Sequence, residues 1–176
     1  MSEPCHLKAP ADASDTECRA FARLVRLGFG PAPDHRLDRI RAASRLAYVI
    51  GEGGSLVAVA ALKRPDESYR RDVFLKAGVP VRPSDVELEL GWVFVTPDRR
   101  GSGIARRLCA ELLAAVPGTA LFATTRPDNL PMARILLDLD FERSGRPYSR
   151  EAEELALFLR WGTADGPPSP APAGRS

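Results

Sequence analysis

Apolar residues recur along this chain in two rhythms, and the change from one to the other marks where its elements begin and end. Residues 17–27 carry Phe21, Leu24, Val25 and Leu27 at helical intervals, and residues 35–43 carry Leu37 and Ile40 in the same way. Between them, Gly28-Phe29-Gly30-Pro31 predicts a break. Two apolar runs, 46–50 and 56–62, read as strands joined by the hairpin turn Gly51-Glu52-Gly53-Gly54. The less regular stretch that follows contains a short helix at 67–77 with Tyr69, Val73 and Phe74. A strand at 86–95 leads to a helix at 103–116 whose Ile104, Leu108, Leu112 and Val116 form one stripe. Next come a strand at 120–124 and a helix that Asn129 or Asp128 caps, ending near Leu139, with Pro131 tolerated in its first turn. Strands at 141–146 and 156–161 close the chain, and no internal repeat is visible.

Composition narrows the class. With 176 residues, 44% of them hydrophobic and 27% charged, the chain is long enough for one well-buried core and too short for two ordinary domains. The expected division is a single domain at 1–161 followed by a Pro-, Gly- and Ala-rich tail at 162–176 that has little to bury and lies outside the fold. A formal charge of +2, with arginines spread along the chain, gives no reason to invoke a nucleic-acid partner. Cys5, Cys18 and Cys109 form no metal-ligand spacing and leave an odd count, which favours reduced thiols, and Cys109 falls on the core side of its helix. No segment resembles a secretory signal or a membrane span, so a cytoplasmic protein is expected.

One segment carries chemistry. In Pro97-Asp98-Arg99-Arg100-Gly101-Ser102-Gly103-Ile104-Ala105, a strand ends and a helix begins across two glycines. Gly101 and Gly103 leave the backbone N–H groups uncovered at the positive end of that helix, and Arg99, Arg100, Arg106 and Arg107 add charge, so the loop is built to hold an anion such as phosphate. No Gly-Lys-Ser/Thr follows, and the glycines do not make the Gly-x-Gly-x-x-Gly fingerprint. An ordinary strand-to-helix turn with solvated arginines accounts for the same residues. Upstream, Glu87 and Glu89 alternate with Val86, Leu88 and Leu90, the pattern of a half-buried strand with one solvated face.

Arg100-x-x-Gly103-x-Ala105 after an apolar strand, with Asn129, Ala133, Leu136, Leu137 and Phe141 downstream, resembles the GNAT superfamily of N-acetyltransferases. The resemblance covers most of the chain and is most specific over residues 87–141. It implies an α/β fold with a mixed central sheet splayed between the fourth and fifth strands, helices on both faces, and a short first strand at 5–9. It also implies acetyl-CoA as acyl donor. Arg100, Gly101, Ser102, Gly103, Ile104, Ala105 and Arg106 would hold its pyrophosphate, and the backbone of Val93, Phe94 and Val95 its pantetheine arm. Gly91 sits where a bulge would open the sheet. Asn129 would lie beside the cofactor as well as capping its helix.

A primary alkylamine has a pKa of about 10.4 and needs a base before it can attack a thioester. By the same resemblance that base is Glu89, eleven residues before Arg100, with Glu87 as a second carboxylate on the strand. The Tyr that commonly protonates the departing thiolate is missing, because Leu136 stands at its position. Tyr148, in the turn of the closing hairpin, is the nearest replacement by the topology the resemblance implies, and a surface tyrosine with no task is the better explanation of it. His6 and His35 belong to no constellation.

The expected activity is therefore acetyl transfer from acetyl-CoA to a primary amine of a small molecule or protein, by direct attack in a ternary complex. A homodimer is compatible with the resemblance. Two other readings remain open: a catalytically silent acyl-CoA sensor, and an acyltransferase that draws on aminoacyl-tRNA. The acceptor is not legible, since Glu67, Asp72 and Asp85 alternate with Arg70, Arg71 and Arg82 in the segment expected to wall its pocket.

Overall fold

The computed structural model describes residues 3–30 and 35–162. The tail at 163–176 and Pro31, the last residue of the anticipated helix break, lie outside the described residues. The chain forms two compact units, one of Met1–Arg64 with Leu88–Pro117, the other of Pro65–Glu87 with Gly118–Ser176.

The first unit is an antiparallel sheet in the order β1 (Cys5–Lys8), β2 (Arg45–Ile50), β3 (Leu56–Lys63) and β4 (Leu88–Val95). β2 and β3 are buried on both faces, which explains runs that are apolar without alternation. Helices α1 (Asp15–Phe29) and α2 (His35–Arg41) cover one face, where Phe21, Val25 and Ile40 pack on Leu46, Tyr48, Val59 and Ala61. Helix α4 (Ile104–Ala114) packs on the same strands, burying Leu108, Cys109 and Leu112 completely. Because successive strand residues point to opposite faces, Ala47, Val49, Ala58 and Ala60 are left for the side away from α1.

The second unit holds α3 (Glu67–Ala77), α5 (Leu130–Asp138) and the strands β5 (Leu121–Thr125), β6 (Glu142–Arg150) and β7 (Glu153–Arg160), with β7 between the other two. Its core joins Val73 and Phe74 of α3 to Phe122, Leu157 and Leu159. The closing strands are longer than their apolar runs, because Glu151 and Ala152 adopt positive φ (48° and 65°) and turn the chain in two residues. β6 is a terminal strand of this sheet and carries Pro147, whose missing N–H is tolerated at an edge. Gly162, assigned from the sequence to the tail, is buried: a Cβ there would come within 2.0 Å of the Gly118 carbonyl.

Two further departures from the sequence reading have simple causes. Helix α1 does not break at Gly28 but runs to Phe29 and stops at Gly30, with φ of 81°. Gly28 is a notch rather than a breaker, since a Cβ there would come 2.4 Å from the Phe94 ring. The strand expected from residue 86 starts at Leu88, so Glu87 lies outside it and is exposed.

One carboxylate ties the amino-terminal strand to the first helix. Ser14 Oγ accepts from the Glu17 N–H at 3.2 Å while Glu17 accepts from the Ser14 N–H at 2.8 Å, a reciprocal cap worth about 1 kcal/mol. Glu17 also accepts from Lys8 Nζ at 2.7 Å and from Tyr48 Oη at 2.5 Å. The Lys8 ammonium, the Tyr48 hydroxyl and the Ser14 amide all favour its anion and lower its pKa to about 2. Burial, reinforced by the Glu17 charge, pushes the Tyr48 phenol up to about 12.

A folded-state pKa below the unfolded one gives stability that is complete above the unfolded value, about 4.3, and fades as the pH falls toward 2. Between pH 6 and pH 3 the thermal midpoint of the wild type should therefore fall further than that of Glu17→Gln; parallel curves would remove Glu17 from the acid response. Gly145, at φ of 68°, leaves no room for a side chain because a Cβ would come 2.2 Å from the Ala77 carbonyl oxygen. Gly145→Ala is expected to cost about 2 kcal/mol or more in urea unfolding, and Gly54→Ala, at φ of 75° in open space, about 1 kcal/mol.

Candidate active site

After β4, residues Pro97–Arg99 make a single tight helical turn that ends on the loop glycines. Gly101 and Gly103 have φ of 79° and 78°, and a Cβ on either would meet nothing within 4 Å. Backbone conformation therefore calls for glycine here, and the space above the loop stays open. Gly103 is the cap residue of α4, and no side chain closes the first turn of that helix. Its leading N–H groups would meet an anion with the favourable end of the helix dipole.

The four arginines divide into two pairs. Arg99 is engaged with the Glu3 carboxylate at 3.1 Å and Asp98 at 3.4 Å, and Arg107 donates to the Glu3 carbonyl at 2.7 Å. Arg100 and Arg106 are exposed. Arg100 reaches back along the strand, donating to the Val95 carbonyl at 3.2 Å, with its guanidinium 5.8 Å from the centre of the Phe94 ring. A cavity of about 350 Å³ opens at the loop, lined by Arg99, Arg100, Ser102, Ile104 and Arg107 together with Glu3, Glu52 and Asp98.

β4 is irregular where the sequence suggested a bulge. Gly91 pairs with Ala61 and Phe94 with Val59, so four residues of β4 run opposite three of β3. The strained residue is Trp92, with φ of 50°, and not Gly91. Trp92 packs edge-on against Phe21, with ring centres 6.5 Å apart.

Glu89 lies on the regular part of the strand, only 2% exposed. Its Oε2 is 2.8 Å from Lys63 Nζ, and Lys63 is its direct cross-strand neighbour on β3. A carboxylate this deep requires such a partner, because an unpaired buried charge is costly. The Lys63 ammonium also stands 5.4 Å from the Trp92 ring centre, and its stem crosses Gly91, where a Cβ would come 2.6 Å from Lys63 Cε. Lys63 is absent from the sequence reading, and Trp92 belongs to it only as part of the buried strand. The signal in the sequence is slight: one lysine ending the apolar run of β3.

The structure thus gathers Glu89, Val93, Phe94, Val95 and the loop from Arg100 to Arg106 into the first unit. Glu87, an exposed residue ahead of β4, is not part of the strand that was to carry both carboxylates. Asn129 and Tyr148 belong to the second unit. Asn129 is exposed and caps α5, accepting from the Met132 N–H at 3.3 Å. Tyr148 is neither in a turn nor on the surface: it sits on β6 opposite Leu155, 6% exposed. Leu136 is fully buried. Among the described residues, no helix is long and apolar enough to cross a membrane.

These strands and helices match those of acyl-CoA N-acyltransferases. An acyl-CoA N-acyltransferase from Pseudomonas aeruginosa superimposes with a TM-score of 0.68 at 15% identity, covering 90% of this chain and 99% of that one. The yncA acetyltransferase of Salmonella typhimurium, solved with acetyl-CoA, gives 0.62 at 16% identity over 98% and 100% of the two chains. The fold is therefore the mixed α/β fold of acyl-CoA N-acyltransferases. The sequence profile of the acetyltransferase (GNAT) family matches residues 16–141, and the chain belongs to that family. It is also similar to the N-alpha-acetyltransferase RimI of Mycobacterium tuberculosis, 27% identical over 167 residues that cover 93% of this chain and 96% of that protein.

The family's donor is acetyl-CoA, and the loop fits it: the space above both glycines is open, the α4 amides carry no side-chain cap, and Arg100 is exposed beside them. Cys109, by contrast, is no alternative nucleophile. It is fully buried, and burial pushes its thiol up to about 12. Iodoacetamide at pH 8 should label the half-buried Cys5 well before Cys109; early labelling of Cys109 in the folded protein would contradict this packing.

Proposed function

We propose that this protein transfers the acetyl group of acetyl-CoA to a primary amine by direct attack in a ternary complex, acts in the cytoplasm, and takes the α-amino group of a polypeptide as its acceptor. The observation that carries this reading is the buried Glu89 carboxylate on a strand that bulges at Trp92 and runs into the open glycine loop. The donor supplies the activated acyl group, held through its pyrophosphate by Gly101, Ser102, Gly103, Ile104, Ala105, Arg100 and Arg106.

Glu89 serves as the base that removes the acceptor's proton, directly or through water. The same chemistry and the likeness to an N-alpha-acetyltransferase support this acceptor class. An α-ammonium, with a pKa of about 8, gives up its proton a few hundred-fold more readily than a lysine side chain at about 10.4, and so asks less of an ion-paired carboxylate. Val93, one of the two residues that β3 does not pair singly, supplies a backbone N–H toward the thioester oxygen, and Phe94 and Val95 the main-chain groups for the pantetheine arm. A thiol with a pKa of about 8.5 needs no dedicated acid to depart near neutral pH, so the absence of a tyrosine at position 136 is tolerated.

One observation favours a second reading. The ammonium of Lys63 already neutralises Glu89, as it would in a silent acyl-CoA-binding module.

Calorimetry with acetyl-CoA and thiol release against a panel of free-α-amine peptides, polyamines and aminoglycosides separate the two readings. Acetyl-CoA should raise the thermal midpoint, and Arg100→Ala should weaken its binding about tenfold, the value of one contact to a charged group. Glu89→Gln should lower kcat about 100-fold and leave donor binding unchanged. Binding without turnover of any amine would select the silent module, and absence of binding would remove both.

A further inference from the structure

We infer that Lys63 is a positioning residue for Glu89: its ammonium fixes the orientation of the carboxylate that acts as the base. The inference rests on the reading of Glu89 given above and adds a residue on a different strand. Three features of the structure, independent of one another, hold Lys63 where it is. The first is the ion pair itself, 2.8 Å long, between direct cross-strand neighbours. The second is the Trp92 face, 5.4 Å from the ammonium, which attracts a cation through the ring quadrupole. The third is the absence of a side chain at Gly91, over which the lysine stem lies with no space for even a methyl group.

The energetics argue that this arrangement does more than hold the fold. Buried ion pairs contribute little net stability compared with apolar residues of similar size, so stability alone is a weak reason to place one in this sheet. A carboxylate can take a proton from an amine only along its lone-pair directions, and a misplacement of about 1 Å can cost up to 100-fold in rate. The Lys63 side chain is 21% exposed and that of Glu89 3%, so the lysine is the more accessible partner and the carboxylate the more buried one. Trp92, the strained residue of the bulge, thereby joins the shape of β4 to the orientation of the base.

The test uses the full chain, acetyl-CoA and the amine of the panel above that is turned over fastest. Lys63→Met should lower kcat roughly 10- to 100-fold while KM for acetyl-CoA stays constant, and Lys63→Arg, which keeps the cation, should recover most of the loss. Gly91→Ala offers a second route, because its Cβ displaces the lysine without removing it; φ at this position is not in the left-handed region, and kcat should fall in the same direction. The decisive measurement is the double variant. In a Glu89→Gln background, Lys63→Met should change kcat no further, because there is no base left to orient.

An equal loss in both backgrounds, failure of Lys63→Arg to rescue, or an unchanged kcat in Lys63→Met overturns the inference while leaving Glu89 as the base. Wild-type turnover in Glu89→Gln, or no turnover of any amine by the wild type, overturns both.

Discussion

Between the paired residues Gly91 and Phe94, β4 carries one residue more than the strand beside it, and the backbone absorbs the excess at Trp92. A bulky residue at φ of 50° is strained by about 1–3 kcal/mol and persists only where its surroundings overdetermine it. Here they do. Phe21 meets the indole edge-on, the Lys63 ammonium stands near its face, and the next ring along the strand, Phe94, fills the notch that Gly28 leaves in α1. Helix α1 and strand β3 thus hold a distortion that neither β3 nor β4 would sustain alone. The regular half of β4 carries Glu89, the proposed base, and the distorted half the main-chain groups proposed to bind the donor, so one strand would present both.

The amino-terminal strand is held by a different device. β1 has only four residues and, as the outermost strand of its sheet, pairs along one edge only. Glu17 compensates by gathering a helix cap, a lysine of β1 and a tyrosine of β2 around one carboxylate. The first strand also reaches the anion loop through the residue that precedes it by two, since Glu3 engages Arg99 and Arg107. Ordering this short segment therefore has a consequence for two of the four arginines at the loop.

Much of this was legible in the sequence, for reasons that particular residues show. Helix α3 coincides with its predicted span because Tyr69, Val73 and Phe74 repeat at helical spacing between a proline and a glycine. The glycine loop after β4 was legible because both glycines are demanded by local conformation. What was not legible depends on partners far away in the chain. Gly28 reads as a helix breaker until the Phe94 ring is seen beside it, and Gly162 as tail until it meets Gly118. Lys63 reads as the polar end of a strand, because nothing local reveals that its cross-strand neighbour is a buried carboxylate. Tyr148 looked like a turn residue because the polar stretch around Gly145 and Pro147 conceals a strand whose register shifts between Ser144 and Tyr148.

The proline in β6 has a bearing on how the protein behaves among its own copies. A sheet edge attracts the edges of other molecules through its free backbone donors, and intermolecular strand pairing is a common beginning of aggregation. At Pro147 one such donor does not exist, and around it the glycine and the register shift bend the strand away from the flat template that a neighbour would need. The same segment that hid the strand from sequence reading therefore makes its edge a poorer template for pairing with another copy.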